Sequence, residues 1–326
     1  MILLVGGLGN VGINVYNKLI SQGKKVVVMG RQAQAKINKL YPNIEYIENN
    51  VVENTNWNIG RDFECVVNLA YGKQTLANNV IKDNKKLISN LYENCKSSSI
   101  FHVSTTATNG YGKTPLLSLT NQRNWDDFYT LGKSVQEQEI YRNSYPIKVV
   151  RIANFLDKDS MFLKALSILT QIKINESDFA FPSDITTTDD VIQAISSDNE
   201  VQNLYPEVNP YWSDLIKICK NSWEISDKLH YKYDHFFKYT DKKSSFRYVT
   251  KLVPKSISLD IINFIKRNDS LLNLFQNSEC VFNYISPVFR VARNDVSLPI
   301  CNQNNFEKIK NLISSLNENS LKFRIL

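Results

Sequence analysis

The sequence predicts an α/β fold in which a doubly wound parallel sheet is followed by a smaller, partly helical lobe. Short apolar segments alternate with longer helical segments from residue 2 to residue 152, as in parallel strands that are joined by crossover helices. A cluster of glycines lies between the first strand and the first helix. Of the 326 residues, 43% are hydrophobic and 22% are charged, which excludes a fibrous or wholly disordered chain.

Six segments are short and mostly apolar, which predicts strands that are buried on both faces. They cover residues 2–5, 26–29, 44–47, 65–69, 100–104 and 148–152. Apolar residues at helical spacing predict helices between several of these strands. The predicted helices cover residues 11–20, 76–92 and 125–142. Gly23 supplies a stop for the first helix, because glycine readily adopts the left-handed conformation that ends helices.

The alternation of strands and helices is lost after Ala153. Helical segments follow at residues 162–170, 190–195, 213–219, 259–275 and 306–316. Ser213 is the predicted N-cap of the segment that it begins. This later part of the chain is therefore predicted to form the smaller lobe.

The glycine cluster directly follows the first strand. The segment Val5-Gly-Gly-Leu-Gly-Asn-Val-Gly12 contains both GxGxxG and GxxGxxG. Such a cluster between a buried strand and a helix is typical of the phosphate-binding turn of a Rossmann-type fold, in which the helix N-terminus faces a pyrophosphate. We therefore predict that a dinucleotide cofactor contacts Gly6, Gly9, Asn10, Val11 and Gly12.

The second predicted strand ends at Gly30-Arg31, where a site that prefers NAD usually has Asp or Glu for the ribose hydroxyls. No carboxylate at this strand end repels a 2′-phosphate, and Arg31 is available to pair with one. The sequence therefore favours NADP(H) as the cofactor and leaves NAD(H) open.

Tyr129-Thr-Leu-Gly-Lys133 is a YxxxK segment within the helix predicted at residues 125–142. Residues four apart share one face of a helix, so the phenol and the ammonium can lean toward one point. A nearby cation lowers the pKa of a tyrosine. Tyr129 is then suited to pass a proton to or from an alcohol oxygen while a hydride moves at the adjoining carbon.

Hydroxyl side chains end the fifth predicted strand, in the segment Val103-Ser-Thr-Thr-Ala-Thr108. The carboxyl ends of strands line the ligand crevice in folds of this class. A hydroxyl at this place can therefore donate a hydrogen bond to the reacting oxygen.

These motifs together resemble the extended short-chain dehydrogenase/reductase family, in its group of nucleotide-sugar epimerases, dehydratases and reductases. The resemblance covers most of the chain up to about residue 220. The family's glycine motif corresponds to residues 5–12, with Val5 in place of its threonine, and its tyrosine and lysine correspond to Tyr129 and Lys133. On this register Thr106 is the catalytic hydroxyl, with Ser104 and Thr105 as alternatives.

The resemblance implies further binding residues. For the cofactor they are Asn50, Leu69, Ala70 and Asn84, together with Tyr129 and Lys133. For the substrate they are Tyr71, Thr106 and Asn154, with Arg151 beside Asn154 at the substrate phosphates. Asn50 replaces the family's usual Asp near the adenine. Ala107-Thr108 replaces the Asp-Glu pair of the 4,6-dehydratases, which argues against dehydration.

The composition limits the kinds of ligand and partner that the protein is expected to bind. The net charge of +7 suits an anionic small ligand, and the basic residues are spread along the chain, which argues against nucleic acid. The five cysteines form no CxxC and the three histidines are poorly spaced for a shared metal, so no metal site is predicted.

Without a signal-peptide pattern or a long apolar run, we expect a cytoplasmic protein with no membrane partner. The aromatic and basic stretch 228–251 leaves lobe packing, nucleotide contact and RNA binding open.

The sequence as a whole predicts an NAD(P)-dependent reductase or epimerase of a nucleotide-activated sugar. Its dinucleotide-binding domain spans residues 1–155, with 183–204 returning to it, and its substrate-binding lobe spans 156–182 and 205–326. Members of the family often form homodimers through two long helices, which here correspond to 76–92 and 125–142. Two alternatives stay open: a dinucleotide-binding sensor or scaffold without turnover, and a reductase of a small molecule that is not a nucleotide.

Overall fold

The computed structural model describes most of the chain up to residue 222. The described residues are 1–57, 59–60, 62–72, 77–109, 128–157, 160, 162–163, 166, 170, 183, 185–197, 201–204, 210–222 and 313–314. The chain divides into two compact units, one of Met1–Phe155 with Ile185–Pro206 and the other of Leu156–Asp184 with Glu207–Leu326. The stretches 228–251 and 259–275, and most of 306–316, lie outside the described residues.

The first unit is organised around a parallel sheet. The described strands, in chain order, are β1 (Ile2–Val5), β2 (Val26–Gly30), β3 (Tyr46–Glu48), β4 (Cys65–Asn68), β5 (Ser99–Thr105), β6 (Ile147–Ile152), β7 (Asn154–Phe155), β8 (Ile185–Thr186) and β9 (Val201–Leu204). Seven of them form one sheet in the order β3-β2-β1-β4-β5-β6-β9, while β7 pairs with β8. The strand order reverses beside β1, which pairs with β2 on one side and β4 on the other. In open α/β sheets the ligand crevice lies at such a reversal, outside the carboxyl ends of the strands.

Helices cover both faces of this sheet. In the first unit they are α1 (Asn10–Ser21), α2 (Gln34–Leu40), α3 (Ala77–Cys95), α4 (Phe128–Arg142) and α5 (Thr188–Ile195), and a 3₁₀ turn, η1, spans Thr106–Asn109. Alternate residues of β1 belong to separate apolar cores: Leu4 shares one with Leu19 of α1, and Leu3 shares the other with Leu87 of α3. The predicted doubly wound α/β fold is confirmed.

All six predicted strands are present, and the third begins two residues later than its predicted start at residue 44. Strand β9 was not predicted, because Val201–Leu204 has two polar residues between its apolar ends and lies at the edge of the sheet. Helix α2 was not predicted either; it has 7 residues, of which only Ile37 is buried. Short elements of this kind carry little periodic signal.

The predicted helix ends are right in one place and wrong in another. Gly23, at a φ of +73°, closes α1 through a hydrogen bond from its N–H to the carbonyl oxygen of Ile20. The Ser213 N-cap is wrong. In the second unit the helix, α6 (Trp212–Ser222), begins one residue earlier, and the Asp214 carboxylate accepts a hydrogen bond from the backbone N–H of Tyr211. Side-chain capping by an acidic residue in the first turn replaces capping by the serine.

The second unit contains its own buried contacts. Phe162 and Trp212 pack edge to face with ring centroids 5.0 Å apart, and the Ser183 hydroxyl donates to the carbonyl oxygen of Pro210 at 2.7 Å. Within the part of the chain that the structure describes, no helix combines the length and the apolar character that a membrane crossing requires.

Candidate functional site

The glycine turn lies at the carboxyl end of β1, next to the reversal of strand order. Gly6 has a φ of +77°, and a Cβ atom added there would lie 2.9 Å from the backbone N and Cα of Ala70. Its N–H donates to the carbonyl oxygen of Met29 at 2.7 Å. Gly6 therefore makes the turn and also lets the chain pass closely beside the end of β4.

Gly12 and Gly9 have different surroundings. A Cβ at Gly12 would lie 2.6 Å from the backbone of Gly7, whereas a Cβ at Gly9 would meet only the carbonyl oxygen of Gly6, at 3.3 Å. Gly12 thus allows α1 to pack against the turn. Gly9 is the N-cap of α1, has no side chain to bond the helix N–H groups, and precedes a first turn without acidic residues. An N-terminus of this kind attracts an anion.

These distances predict effects of different size for two alanine substitutions. Gly12→Ala is expected to lower the free energy of unfolding by about 1–3 kcal/mol, because the methyl group meets backbone that cannot rotate away. Gly9→Ala, at a φ of −74°, is expected to change stability by less than about 1 kcal/mol. Urea unfolding followed by circular dichroism measures both. Equal stability of the two variants would contradict the packing role of Gly12.

The ends of β2 and β3 carry charges of both signs. Arg31 is exposed directly after β2. Glu48, the last residue of β3, pairs in register with Gly30 and accepts a hydrogen bond from the backbone N–H of Gln34 at 2.8 Å. This carboxylate was not predicted, because only the end of β2 was considered for the ribose hydroxyls. The predicted cofactor residue Asn50 follows β3, and its side-chain oxygen accepts from the backbone N–H of Val52 at 3.3 Å.

The loop after β4 carries three further predicted residues, Leu69, Ala70 and Tyr71. The backbone N–H of Leu69 donates to the carbonyl oxygen of Val5, which extends the pairing of β4 with β1. The side-chain oxygen of Asn68 accepts from the N–H of Ala70 at 3.0 Å. These hydrogen bonds fix the loop beside the glycine turn.

Asn84 of α3 is completely buried and ties this loop to two helices. Its side-chain oxygen accepts from the N–H of Gly72 at 3.0 Å and from the Gln136 amide at 2.9 Å, while its nitrogen donates to the carbonyl oxygens of Gly72 and Val80. The structure places this predicted cofactor residue in the frame of the site, where it holds the loop; its contact with a cofactor stays a prediction.

Tyr129 and Lys133 occupy successive turns of α4. The Tyr129 ring is 44% exposed and packs edge to face against Tyr71 at a centroid distance of 5.3 Å. Lys133 is 2% exposed, and its Nζ donates to the carbonyl oxygens of Val103 at 2.8 Å and Ala70 at 3.2 Å. A reachable phenol and a buried amine therefore meet the carboxyl ends of β4 and β5.

The buried surroundings change the acidity of Lys133. Burial lowers the pKa of Lys133 to about 7, although the Glu137 carboxylate acts in the opposite direction. Burial and the Lys133 charge also hold the pKa of His102 well below its usual value. The Asn68 amide nitrogen lies 3.0 Å from Nδ1 of His102, and because Asn68 already accepts through its oxygen, Nδ1 is the acceptor and Nε2 carries the hydrogen.

The three candidate hydroxyls at the end of β5 differ in their hydrogen bonds. Ser104 donates to Oε1 of Glu137 at 2.5 Å, so its hydroxyl is already used. Thr105 ends β5, and Thr106 begins η1 and is buried. No hydrogen bond from the Thr106 hydroxyl to another described residue is present, which favours Thr106 over Ser104 as the group that donates to a substrate.

Arg151, which the resemblance implies at the substrate phosphates, has a partner within the fold. Its guanidinium forms a salt bridge with Glu137, with Nη2 2.6 Å from Oε2, and its contact with a substrate stays a prediction. Both residues are mostly buried, so this arginine is committed within the fold. Asn154, the other residue implied at the substrate, lies in β7 and is partly exposed.

Three buried residues of this region were not predicted as part of the site: His102, Gln136 and Glu137. His102 is one of the three histidines that were considered only as metal ligands. Glu137 stands four residues after Lys133, as Lys133 does after Tyr129, and this continued spacing was the signal that could have identified it. Among the described residues, Nε2 of His102 and Oε1 of Gln136 are buried without a hydrogen-bond partner.

Comparison with known proteins supports the fold by structure alone. No protein-family model and no curated protein matches the sequence. Among solved structures, the chain is similar to UDP-glucose 4-epimerase of Thermotoga maritima, solved with UDP-glucose, at a TM-score of 0.51 and 20% identity over 71% of this chain and 85% of that one. It is also similar to UDP-N-acetylglucosamine 4-epimerase of Bacillus cereus, at a TM-score of 0.50 and 18% identity over 71% and 84%.

A third similar structure is UDP-glucuronic acid 4-epimerase of Bacillus cereus, solved with UDP-glucuronic acid and NAD. The TM-score is 0.51 and the identity 16%, over 69% of this chain and 83% of that one. The chain therefore has the Rossmann-type fold of NAD-dependent nucleotide-sugar epimerases. The resemblance found in the sequence is confirmed at the level of this fold.

Proposed function

We propose that the protein is an NAD(P)-dependent oxidoreductase that acts on a nucleotide-activated sugar, as a keto-sugar reductase or an epimerase. The observation that carries this proposal is the exposed Tyr129 phenol one helical turn from the buried Lys133, at the carboxyl ends of β4 and β5. Acid–base groups at the reversal of a parallel sheet stand where such folds bind their ligands.

The residues of the glycine turn fit a dinucleotide. Gly6 and Gly12 leave no room for a Cβ, whereas a Cβ at Gly9 would meet only the carbonyl oxygen of Gly6, at 3.3 Å. The N-terminus of α1 has neither an acidic residue nor a side-chain cap. A pyrophosphate would approach the backbone at Gly9, Asn10 and Val11. Arg31, Asn50, Leu69 and Ala70 would hold the adenosine and nicotinamide portions.

In this proposal the chain's own residues move one proton. The Tyr129 hydroxyl gives a proton to the carbonyl oxygen of a keto-sugar during reduction, and its phenolate takes the proton back from the alcohol during oxidation. Lys133 as an ammonium stabilises the phenolate, and the Thr106 hydroxyl donates a hydrogen bond to the same substrate oxygen. A nicotinamide dinucleotide, when bound, supplies the hydride chemistry at the adjoining carbon.

The cofactor preference gives a second prediction. Arg31 favours NADP(H), while Glu48 places a carboxylate at the end of the neighbouring strand and the third similar structure is solved with NAD. We expect Arg31→Met to weaken NADPH binding about tenfold, since one cation on a phosphate contributes about 1.4 kcal/mol, and to leave NADH binding unchanged. Nicotinamide fluorescence measures both dissociation constants, with Lys39→Met on α2 as the control.

Two results would contradict these expectations. A wild-type protein that binds NADH more tightly than NADPH would assign NAD(H) as the cofactor. An Arg31→Met variant that binds NADPH as tightly as the wild type does would show that Arg31 does not hold the 2′-phosphate. Neither result would change the proposed site and its chemistry.

The function is tested with purified protein and a panel of UDP- and dTDP-linked sugars and keto-sugars. A reductase consumes NAD(P)H, which lowers the absorbance of the reduced nicotinamide. An epimerase converts one sugar nucleotide into its isomer with no net change in that absorbance, which chromatography of the products detects. Cofactor binding without either result would favour the sensor or scaffold alternative.

A reductase of a non-nucleotide substrate is the second candidate, and the salt bridge of Arg151 favours it. That arginine is implied at the substrate phosphates in the family, but here its guanidinium is committed to Glu137. The two candidates differ in their response to UDP with NADH present. A rise in melting temperature on adding UDP would support a nucleotide-sugar substrate, and no rise would support the second candidate.

Two further predictions stay proposals. The first is that the substrate binds to residues 156–182 and 205–326, most of which lie outside the described residues. The second, a homodimer through α3 and α4, is tested by light scattering.

A further inference from the structure

Glu137 collects hydrogen bonds from both sides of the turn that carries Thr106. Ser104, at the end of β5, donates to Oε1 at 2.5 Å. The Thr108 hydroxyl, in η1, shares its one hydrogen between the same oxygen, at 3.1 Å, and the carbonyl oxygen of Thr105, at 2.8 Å. Thr106 lies midway between these two residues in the sequence. One carboxylate oxygen therefore fastens the chain two residues before and two residues after the proposed catalytic hydroxyl.

The other side of this carboxylate faces a cation. From β6, Arg151 donates through Nη2 to Oε2 at 2.6 Å and through Nε to Oε1 at 3.0 Å. This two-pronged pair offsets the cost of burying the Glu137 charge, and it fixes the plane of the carboxylate. The position of Glu137 is therefore set from β6 as well as from its own helix.

Glu137 also stands one turn beyond Lys133 on α4, and Tyr129 stands one turn before. Its negative charge favours the ammonium form of Lys133, against the effect of burial. The charged and titratable groups that face this part of α4 are His102 and Arg151 from the sheet and Tyr141 from the next turn of the helix.

We propose that Glu137 is a positioning residue, which holds the Thr106 turn in register with the helix that carries Tyr129 and Lys133. The proposal rests on the proposed function, and it adds a residue that acts through its neighbours without touching the substrate. A buried salt bridge with a merely structural role would stabilise the fold as a whole. A positioning residue also controls local order in η1 and the charge on Lys133.

The first test measures local order without turnover. Hydrogen–deuterium exchange is followed by mass spectrometry in the cofactor-free wild type and in Glu137→Gln. We expect the amides of Thr106–Asn109 to exchange at least tenfold faster in the variant, because an amide cannot accept all four hydrogen bonds, while those of β1 and α1 keep their rates. Glu139→Gln, on the same helix as Glu137, is the matched control. The Glu139 carboxylate accepts hydrogen bonds from Ser89 of α3 and from the Asn143 amide.

A second variant keeps the test decisive if Glu137→Gln lowers stability throughout the fold. Ser104→Ala removes the hydroxyl that donates to Oε1 of Glu137 with little change of shape, and it leaves the hydrogen bond from Thr108 to the Thr105 carbonyl oxygen in place. It is expected to speed exchange in η1, and the double variant is expected to exchange no faster than Glu137→Gln alone, since both remove the same link. Unchanged exchange of η1 in both single variants would overturn the proposal, whether or not the wild type turns over any substrate.

The second test uses the pH dependence of turnover on the sugar nucleotide that the wild type accepts. Loss of the Glu137 charge lowers the pKa of Lys133, so the midpoint in kcat/KM that belongs to this lysine should move to lower pH. We also expect kcat to fall at least tenfold while the NADH dissociation constant stays within about twofold. A lower kcat with an unmoved pH midpoint would show a structural role alone and would overturn the proposal.

Discussion

Tyr129→Phe is expected to lower kcat by a factor of about 10²–10⁴, the usual contribution of a positioned acid–base group. The substitution removes one hydroxyl and keeps the ring, so the edge-to-face contact with Tyr71 is preserved. The dissociation constant of NADH should therefore stay within about twofold of the wild-type value. Steady-state kinetics and nicotinamide fluorescence measure the two quantities on the same preparation.

Tyr145→Phe is the matched control for this variant. Its ring stacks on Tyr92 at a centroid distance of 4.2 Å, away from Lys133, so the loss of its hydroxyl should leave turnover unchanged. If Tyr129→Phe retained turnover within threefold of the wild type, Tyr129 would not be the acid–base group.

Lys133→Met is expected to lose turnover and at the same time to stabilise the fold at neutral and lower pH. The pKa of Lys133 falls from 10.5 to about 7 because the amine is buried. Between these two pH values, the unfolded chain keeps a proton that the folded chain has released. The difference corresponds to on the order of 5 kcal/mol, part of which is offset by the lost hydrogen bonds to Ala70 and Val103.

The sign of the pH dependence follows from this proton. The free energy of unfolding of the wild type rises as the pH rises from about 7 toward 10.5, because the unfolded chain binds the Lys133 proton more tightly than the folded chain does. The methionine variant has no titrating group at this position. The excess stability of Lys133→Met should therefore be largest below pH 7 and should shrink as the pH rises. Urea unfolding at several pH values measures it, with Lys148→Met as the control for loss of a lysine elsewhere. An excess that is constant with pH would contradict the lowered pKa.

Much of the fold could be predicted from the sequence, because strands buried on both faces leave an unmistakable apolar pattern. Ile2–Val5 and the glycines that follow it place the phosphate turn by local signals alone. Edge strands leave a weaker pattern, since one side of each lacks a neighbouring strand. Val201–Leu204 was missed for this reason.

The candidate site could be predicted only where its residues lie in one motif. Tyr129 and Lys133 share a helix face at a spacing that is visible in the sequence. The partners of Glu137 come from β5, η1 and β6, so no local pattern brings them together. The register of β5 with β6, which pairs Ser104 with Arg151, is what makes them neighbours.

One stretch of the helix that carries the site is buried on every side. All eight residues of 130–137 in α4 are buried, whereas the buried residues of α1 recur at helical spacing on one face. A surface helix has an outer face on which neutral substitutions accumulate. This part of α4 has no such face, so few substitutions are expected to be tolerated at any of these consecutive positions. A lineage could change its substrate through the loops around this helix far more readily than through the helix itself.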